Sequence, residues 1–286
     1  MVTQHKFEIP WNGDLRLVDS IVKEGLQDKV KFFFIPALRD DSNSTRRYEN
    51  GDIYDKFTFE KINEYVMERG FNLSVLLQRD VNIDSIPFYY NLGIRHFTVG
   101  PDKVADYLRE HYDDVYITGS ITKALIPTDY EKYSQEKPDL YDIFILGFEF
   151  SRNLSIIKEL PTNLKYGIMP NNTCLWYCPY MKHHWFPDIY GDFERGFPPC
   201  GEERNKFENG QGSMNMENIM FIPPENLYLF DPYIESYKLI DRTAPTFEIL
   251  TSLKNYSSID LNIQFLPKTD YDIGGGVFKR RIDPVY

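Results

Sequence analysis

All three cysteines of the chain, Cys174, Cys178 and Cys200, fall in one stretch that also carries His183 and His184. Two thiols separated by three residues can point at one centre, and a third arriving from downstream completes a trigonal thiolate set. Soft thiolates suit zinc or an iron–sulphur cluster, whose positive charge holds them deprotonated. The C-x3-C spacing differs from the common C-x2-C of zinc sites. His184, or His183, is a candidate fourth ligand, and its bland alternative is a hydrogen-bonded loop histidine. The bland reading of the cysteines is ordinary burial, because Cys is among the most buried residue types. Elsewhere Glu149 stands between Phe148 and Phe150 in an apolar run. Such a carboxylate is expected in a paired, buried position that is often functional. Arg39, Arg46 and Arg47 sit together in a polar stretch and would attract an anion or simply be solvated. No Ser-His-Asp pattern, H-E-x-x-H or P-loop is present to support hydrolase or nucleotidase chemistry.

These residues need a scaffold, and the alternation of elements supplies one. Short apolar runs recur at Lys6 to Trp11, Val30 to Pro36, Asn72 to Leu77, Ile94 to Val99, Val115 to Ile121, Asp142 to Phe150, Lys165 to Met169 and Tyr237 to Ile240. Helical patterns lie between several of them, at Leu15 to Leu26, Phe59 to Arg69, Pro101 to His111 and Leu154 to Leu160, with Thr58 and Asp102 as helix-start residues. Near-continuous apolar strands alternating with helices predict an α/β fold with a parallel sheet. We expect a single (β/α)8 TIM-like barrel over residues 1–286, irregular in places, with chemistry at the C-terminal ends of its strands. A long cysteine-bearing loop, 171–218, follows the seventh strand and would overhang that face, and 260–286 forms a C-terminal extension. The triple glycine Gly274 to Gly276 in that extension reads as a turn rather than a phosphate cradle.

Composition narrows the classes. Apolar residues make 42% and aromatic residues 16% of the chain, ample for a core, so disorder is excluded. The net charge of −11 argues against nucleic acid or an anionic membrane as a non-specific partner. No apolar run is long enough to span a bilayer, and Met1 to Gly13 lacks a signal-type apolar region. Together with an odd number of cysteines, this predicts a cytoplasmic protein in a reducing compartment.

The segment from Asn172 to His184, with Cys174 and Cys178-Pro179-Tyr180 inside it, resembles the cysteine segment of one branch of the peptidase U32, or collagenase-like, family. Phe221-Ile222-Pro223-Pro224-Glu225-Asn226-Leu227 is similar to that branch's F-I-R-P-E-D-L. Tyr237-Lys238-Leu239-Ile240-Asp241-Arg242-Thr243-Ala244-Pro245-Thr246 is similar to its F-K-I-S-G-R-T-M-P-T, and Tyr141 to Asn153 to its strand followed by N-R-D. The matches keep the family order over about Ile94 to Tyr256. The resemblance implies an iron–sulphur barrel, with Cys174, Cys178 and Cys200 binding a cluster of the 4Fe-4S type and zinc as the alternative metal. It implies oxygen-independent hydroxylation of an organic substrate, with a peptidase or a non-catalytic barrel as the other readings. By position, Arg242 would hold a substrate carboxylate or phosphate, with Lys238 supporting it from the same face; the competing role for both is pairing with Asp241 or Glu235. Relatives that work in pairs imply a partner barrel, of the same or a different chain. Two departures stand out: the branch carries a second Cys near the position of Cys200, and its Gly before the Arg is Asp241 here.

Overall fold

A computed structural model describes residues 5–42, 54–147, 150, 152–172, 220–240, 242 and 244–257. Eight parallel strands close into a barrel in chain order: β1 (Phe7–Pro10), β2 (Val30–Pro36), β3 (Leu73–Leu77), β4 (His96–Val99), β5 (Tyr116–Gly119), β6 (Ile143–Ile145), β7 (Tyr166–Ile168) and β8 (Ser236–Lys238), with β8 pairing back onto β1. Among the described residues the α-helices are α1 (Leu15–Lys23), α2 (Lys56–Glu68), α3 (Ile86–Asn91), α4 (Asp102–His111), α5 (Pro127–Glu136) and α6 (Leu154–Glu159) between the strands, and α7 (Thr246–Ser257) after β8. The fold is the (β/α)8 barrel that the alternation of elements predicts.

Each strand sends alternate side chains to opposite faces. The outward set, including Phe7, Ile9, Phe33, Ile35, Val75, Phe97 and Ile117, is buried beneath the helices. The helices meet it with residues at helical spacing: Leu17, Val18 and Ile21 on α1, Val104, Ala105 and Leu108 on α4, Ile249, Leu253 and Tyr256 on α7. Asp14 caps α1 by accepting from Arg16 N, and its other oxygen accepts from Thr246 Oγ1 of α7 at 2.6 Å. That contact joins the first helix to the last beside the strand closure.

Strands in a barrel are tilted, so inward residues of alternate strands share a level. The registers place Phe32, His96, Ile143 and Ser236 on one level towards the N-terminal end. Glu8, Ser74, Thr118 and Gly167 form the next, followed by Phe34, Thr98, Ile145 and Lys238. Gly167 is required where it stands. A Cβ there would lie 2.8 Å from Ile145 Cδ1 and 3.0 Å from the Ser236 carbonyl oxygen.

Some boundaries differ from the sequence expectation. α2 begins at Lys56 under an Asp55 cap that accepts from Thr58 N, so Thr58 lies inside the first turn; Asp102 is the first residue of α4 and Pro101 precedes it as the cap. β6 is confined to Ile143–Ile145, shorter than its apolar run. Helices α3, α5 and α7 escape the periodicity reading. α3 is only six residues long, α5 buries Tyr130 alone, and α7 exposes Phe247 outside its apolar stripe.

Candidate functional site

The barrel axis is charged. Glu8, inward on β1, is fully buried, and its Oε1 accepts from Ser236 Oγ at 2.8 Å. Its Oε2 lies 3.4 Å from Lys238 Nζ, close enough for an ion pair, yet it receives no hydrogen bond. The Lys238 ammonium rests on the Phe34 ring, 3.9 Å from its centroid. On the β1–β2 edge the register steps from Val30 to Phe32 opposite Phe7 and Glu8, leaving Lys31 as the extra residue of a bulge. A bulge re-aims a side chain. Here Lys31 reaches across the N-terminal end to donate to Tyr116 OH at 2.9 Å, with Ser236 Oγ at 3.4 Å. His96 packs between Phe32 and Tyr116 with ring centroids at 4.9 and 5.5 Å.

Electrostatics follow from this crowding. Burial pushes the Lys238 and Lys31 ammoniums below the ordinary lysine range, while the Glu8 charge pushes both back up. Burial, reinforced by Lys31, lowers His96 to about 4, so the ring is neutral at pH 7. Burial and the Glu8 charge also raise the Tyr116 phenol. Glu8 is the charge common to all four groups. His96 Nδ1 and Thr118 Oγ1 share with Glu8 Oε2 the lack of a hydrogen-bond partner while buried. Buried polar atoms are normally satisfied, so these mark a polar interior rather than a dry core. The half-buried pair Lys123–Asp102 at 2.5 Å is a contrast. There the Tyr133 and Tyr141 hydroxyls and the Gly100 carbonyl complete the network, which braces α4 against the β5–α5 connection.

Above Lys238 is the C-terminal mouth. Asn171, just past β7, bonds both backbone groups of Ile240, just past β8: Nδ2 donates to the carbonyl at 3.1 Å and Oδ1 accepts from the N–H at 2.8 Å. Ile222 N donates to Pro170 O at 2.8 Å, and Asn172 Nδ2 lies 3.7 Å from Met220 Sδ. The chain between 172 and 220 therefore leaves and returns at one place, at the mouth between β7 and β8. Arg242 lies beyond β8, partly buried, and its charge bears on Lys238.

No family model matches the chain, and no curated protein is similar to it. Among solved structures, a U32 peptidase aligns over 84% of this chain and 94% of its own, with 10% identity and a TM-score of 0.53. The two share the barrel fold. A putative alpha-galactosidase from Bacteroides fragilis aligns over 90% of this chain and 59% of its own, at 11% identity and a TM-score of 0.48. An HpcH/HpaI aldolase from Desulfitobacterium hafniense covers 92% and is covered to 96%, at 10% identity and a TM-score of 0.37.

Of the residues singled out from sequence, Lys238 ends β8 and Arg242 follows four residues on, near enough for its charge to bear on Lys238. Lys238 pairs with Glu8, not with Glu235, whose partner is Lys165 at 3.2 Å. Cys174, Cys178, His183, His184, Cys200 and Glu149 lie outside the described residues, as does the 260–286 extension. Among the described residues no group of three or more His, Cys, Asp or Glu is arranged to hold a metal, and no helix is long and apolar enough to cross a membrane. Sequence reasoning missed Glu8, Lys31, His96, Tyr116 and Ser236. Glu8 carries the same signal that drew attention to Glu149, a lone carboxylate between apolar strand residues, here Phe7 and Ile9.

Proposed function

We propose that this chain is an iron–sulphur enzyme that modifies a small organic anion at the C-terminal mouth of its barrel, by oxygen-independent hydroxylation in which a second, hydroxylated organic compound gives up the oxygen atom and takes the two electrons that the substrate loses. The observation that carries the reading is the clasp of Pro170 to Ile222. It roots the segment bearing all three thiolates where barrel enzymes keep their chemistry. Three soft thiolates suit iron or a cluster. Such a cluster, held by Cys174, Cys178 and Cys200, would supply Lewis-acid or redox chemistry at the mouth. The U32-like fold and the order of the U32-like motifs support the choice of chemistry.

The chain's own residues then have defined tasks. Arg242 takes the anion through its two-pronged guanidinium, which matches carboxylate or phosphate geometry. Lys238 adds a second cation beneath it. Below them Phe34 and Ile145, both buried, exclude bulk water and strengthen the charge interactions at the mouth.

The test is iron and acid-labile sulphide analysis of anaerobically purified protein, with its visible spectrum before and after air. Iron and sulphide in comparable amounts, a broad band that bleaches in air, and loss of both in Cys174→Ala are the expected results. Zinc, or no metal, with an unchanged spectrum would remove the redox reading.

A further inference from the structure

We infer that Glu8 is a positioning residue that holds Lys238 as a charged ammonium at the floor of the mouth, so that an entering anion meets two cations, Arg242 at the rim and Lys238 beneath. The role of the mouth as an anion site rests on the function proposed above; the hold of Glu8 on Lys238 does not.

The geometry is directional. Glu8 is fully buried and cannot serve as a surface counter-ion, and the Ser236 hydroxyl fixes one of its oxygens at 2.8 Å. That bond leaves the other oxygen 3.4 Å from Lys238 Nζ. On its far side the ammonium is stopped by the Phe34 ring. The Lys238 side chain is 9% exposed, and its level lies on the mouth side of Glu8, so what solvent it sees comes from the mouth. A lysine so placed, with no counter-charge, would give up its proton, because burial disfavours the charged form. Among the described residues, the charges that bear on Lys238 are Glu8 from β1, Lys31 from β2 and Arg242 beyond β8, while Asp142, Glu235 and Lys165 bear on Lys31, and Asp142 also on His96 of β4 and Tyr116 of β5. Lys31 and Arg242 oppose the charge on Lys238. Glu8 is thus the carboxylate, among the described residues, that favours the charged form of Lys238. Glu8 Oε2 accepts from no other donor, which leaves it to the Lys238 ammonium.

The experiment is competitive acetylation of the whole protein with acetic anhydride from pH 6 to 10, reading Lys238 by peptide mass spectrometry, with iron content measured in parallel. In the wild type Lys238 is expected to react slowly at neutral pH. In Glu8→Gln its titration should move to lower pH, raising the labelling rate at pH 7 roughly tenfold for each unit moved. Glu8→Asp should restore much of the wild-type profile. If Glu8→Gln does not fold, Ser236→Ala, which frees the carboxylate to swing, should move the titration in the same direction. A Lys238 profile in the folded variant that superimposes on the wild type overturns the inference, whatever the iron content. Inorganic phosphate should slow labelling of Lys238 in the wild type and lose that effect in Arg242→Gln; labelling indifferent to phosphate in the wild type overturns the two-cation mouth.

Discussion

Lys238 and Glu8 are worth more broken than made. An ion pair taken out of water recovers little net free energy, but removing one partner strands a buried charge. Lys238→Met should therefore cost about 3–5 kcal/mol, whereas Glu8→Gln with Lys238→Met should cost clearly less than the sum of the two singles. Urea denaturation of the three variants checks this, and additive losses would show that the pair is not coupled. His96 gives the molecule an acid limit. Its folded value, about 4, lies below the unfolded 6.5, so between those values the unfolded chain binds more protons than the folded one. Stability is then lost as pH falls through that window, by about 1–3 kcal/mol at most since the ring is partly exposed, and His96→Gln should flatten the loss between pH 6.5 and 4. Asp14 acts lower down. The Arg16 side chain holds its carboxyl near 2, so its contribution is present above about 3.8 and fades only as pH approaches 2.

Among the elements, β7 has little tolerance at Gly167. Gly167→Ala would press a methyl group on Ile145 and on the Ser236 backbone, which cannot yield without shifting β8. A loss of about 1–3 kcal/mol is expected from the thermal midpoint, larger than for Gly25→Ala, where nothing lies within 4 Å and only the backbone angle resists. Asn171→Ala should cost about 1–3 kcal/mol by leaving both Ile240 backbone groups unserved. The elements also show what sequence can and cannot tell. Apolar runs located all eight strands, because a parallel barrel buries both faces and leaves an unbroken signal. Helices were legible only where one stripe was apolar, as on α1 and α4, and not on α5, whose single buried Tyr130 leaves no period. The interior polar groups were hidden for a related reason. Glu8 and Lys31 are separated by a helix and meet Lys238 and Ser236 only through closure of the last strand on the first. A bulge at Lys31, which decides where its amine points, has no sequence mark.

At the scale of the whole molecule, barrel closure makes the first and last strands mutual partners. The Asp14–Thr246 contact and the Glu24–Lys254 pair at 2.8 Å add helix-level links at the same seam. Loss of α7 by truncation after residue 245 is expected to abolish cooperative unfolding rather than lower the midpoint, and a calorimetric trace would show it. The clasp at Pro170 and Ile222 has the opposite character. Because the stems of 173–219 already touch, a turn of a few residues could span them, and closing a short loop costs little. The insert is thus a cassette. A change in its length or sequence would leave the backbone bond that closes its base in place, so the barrel and the segment between residues 172 and 220 can vary independently.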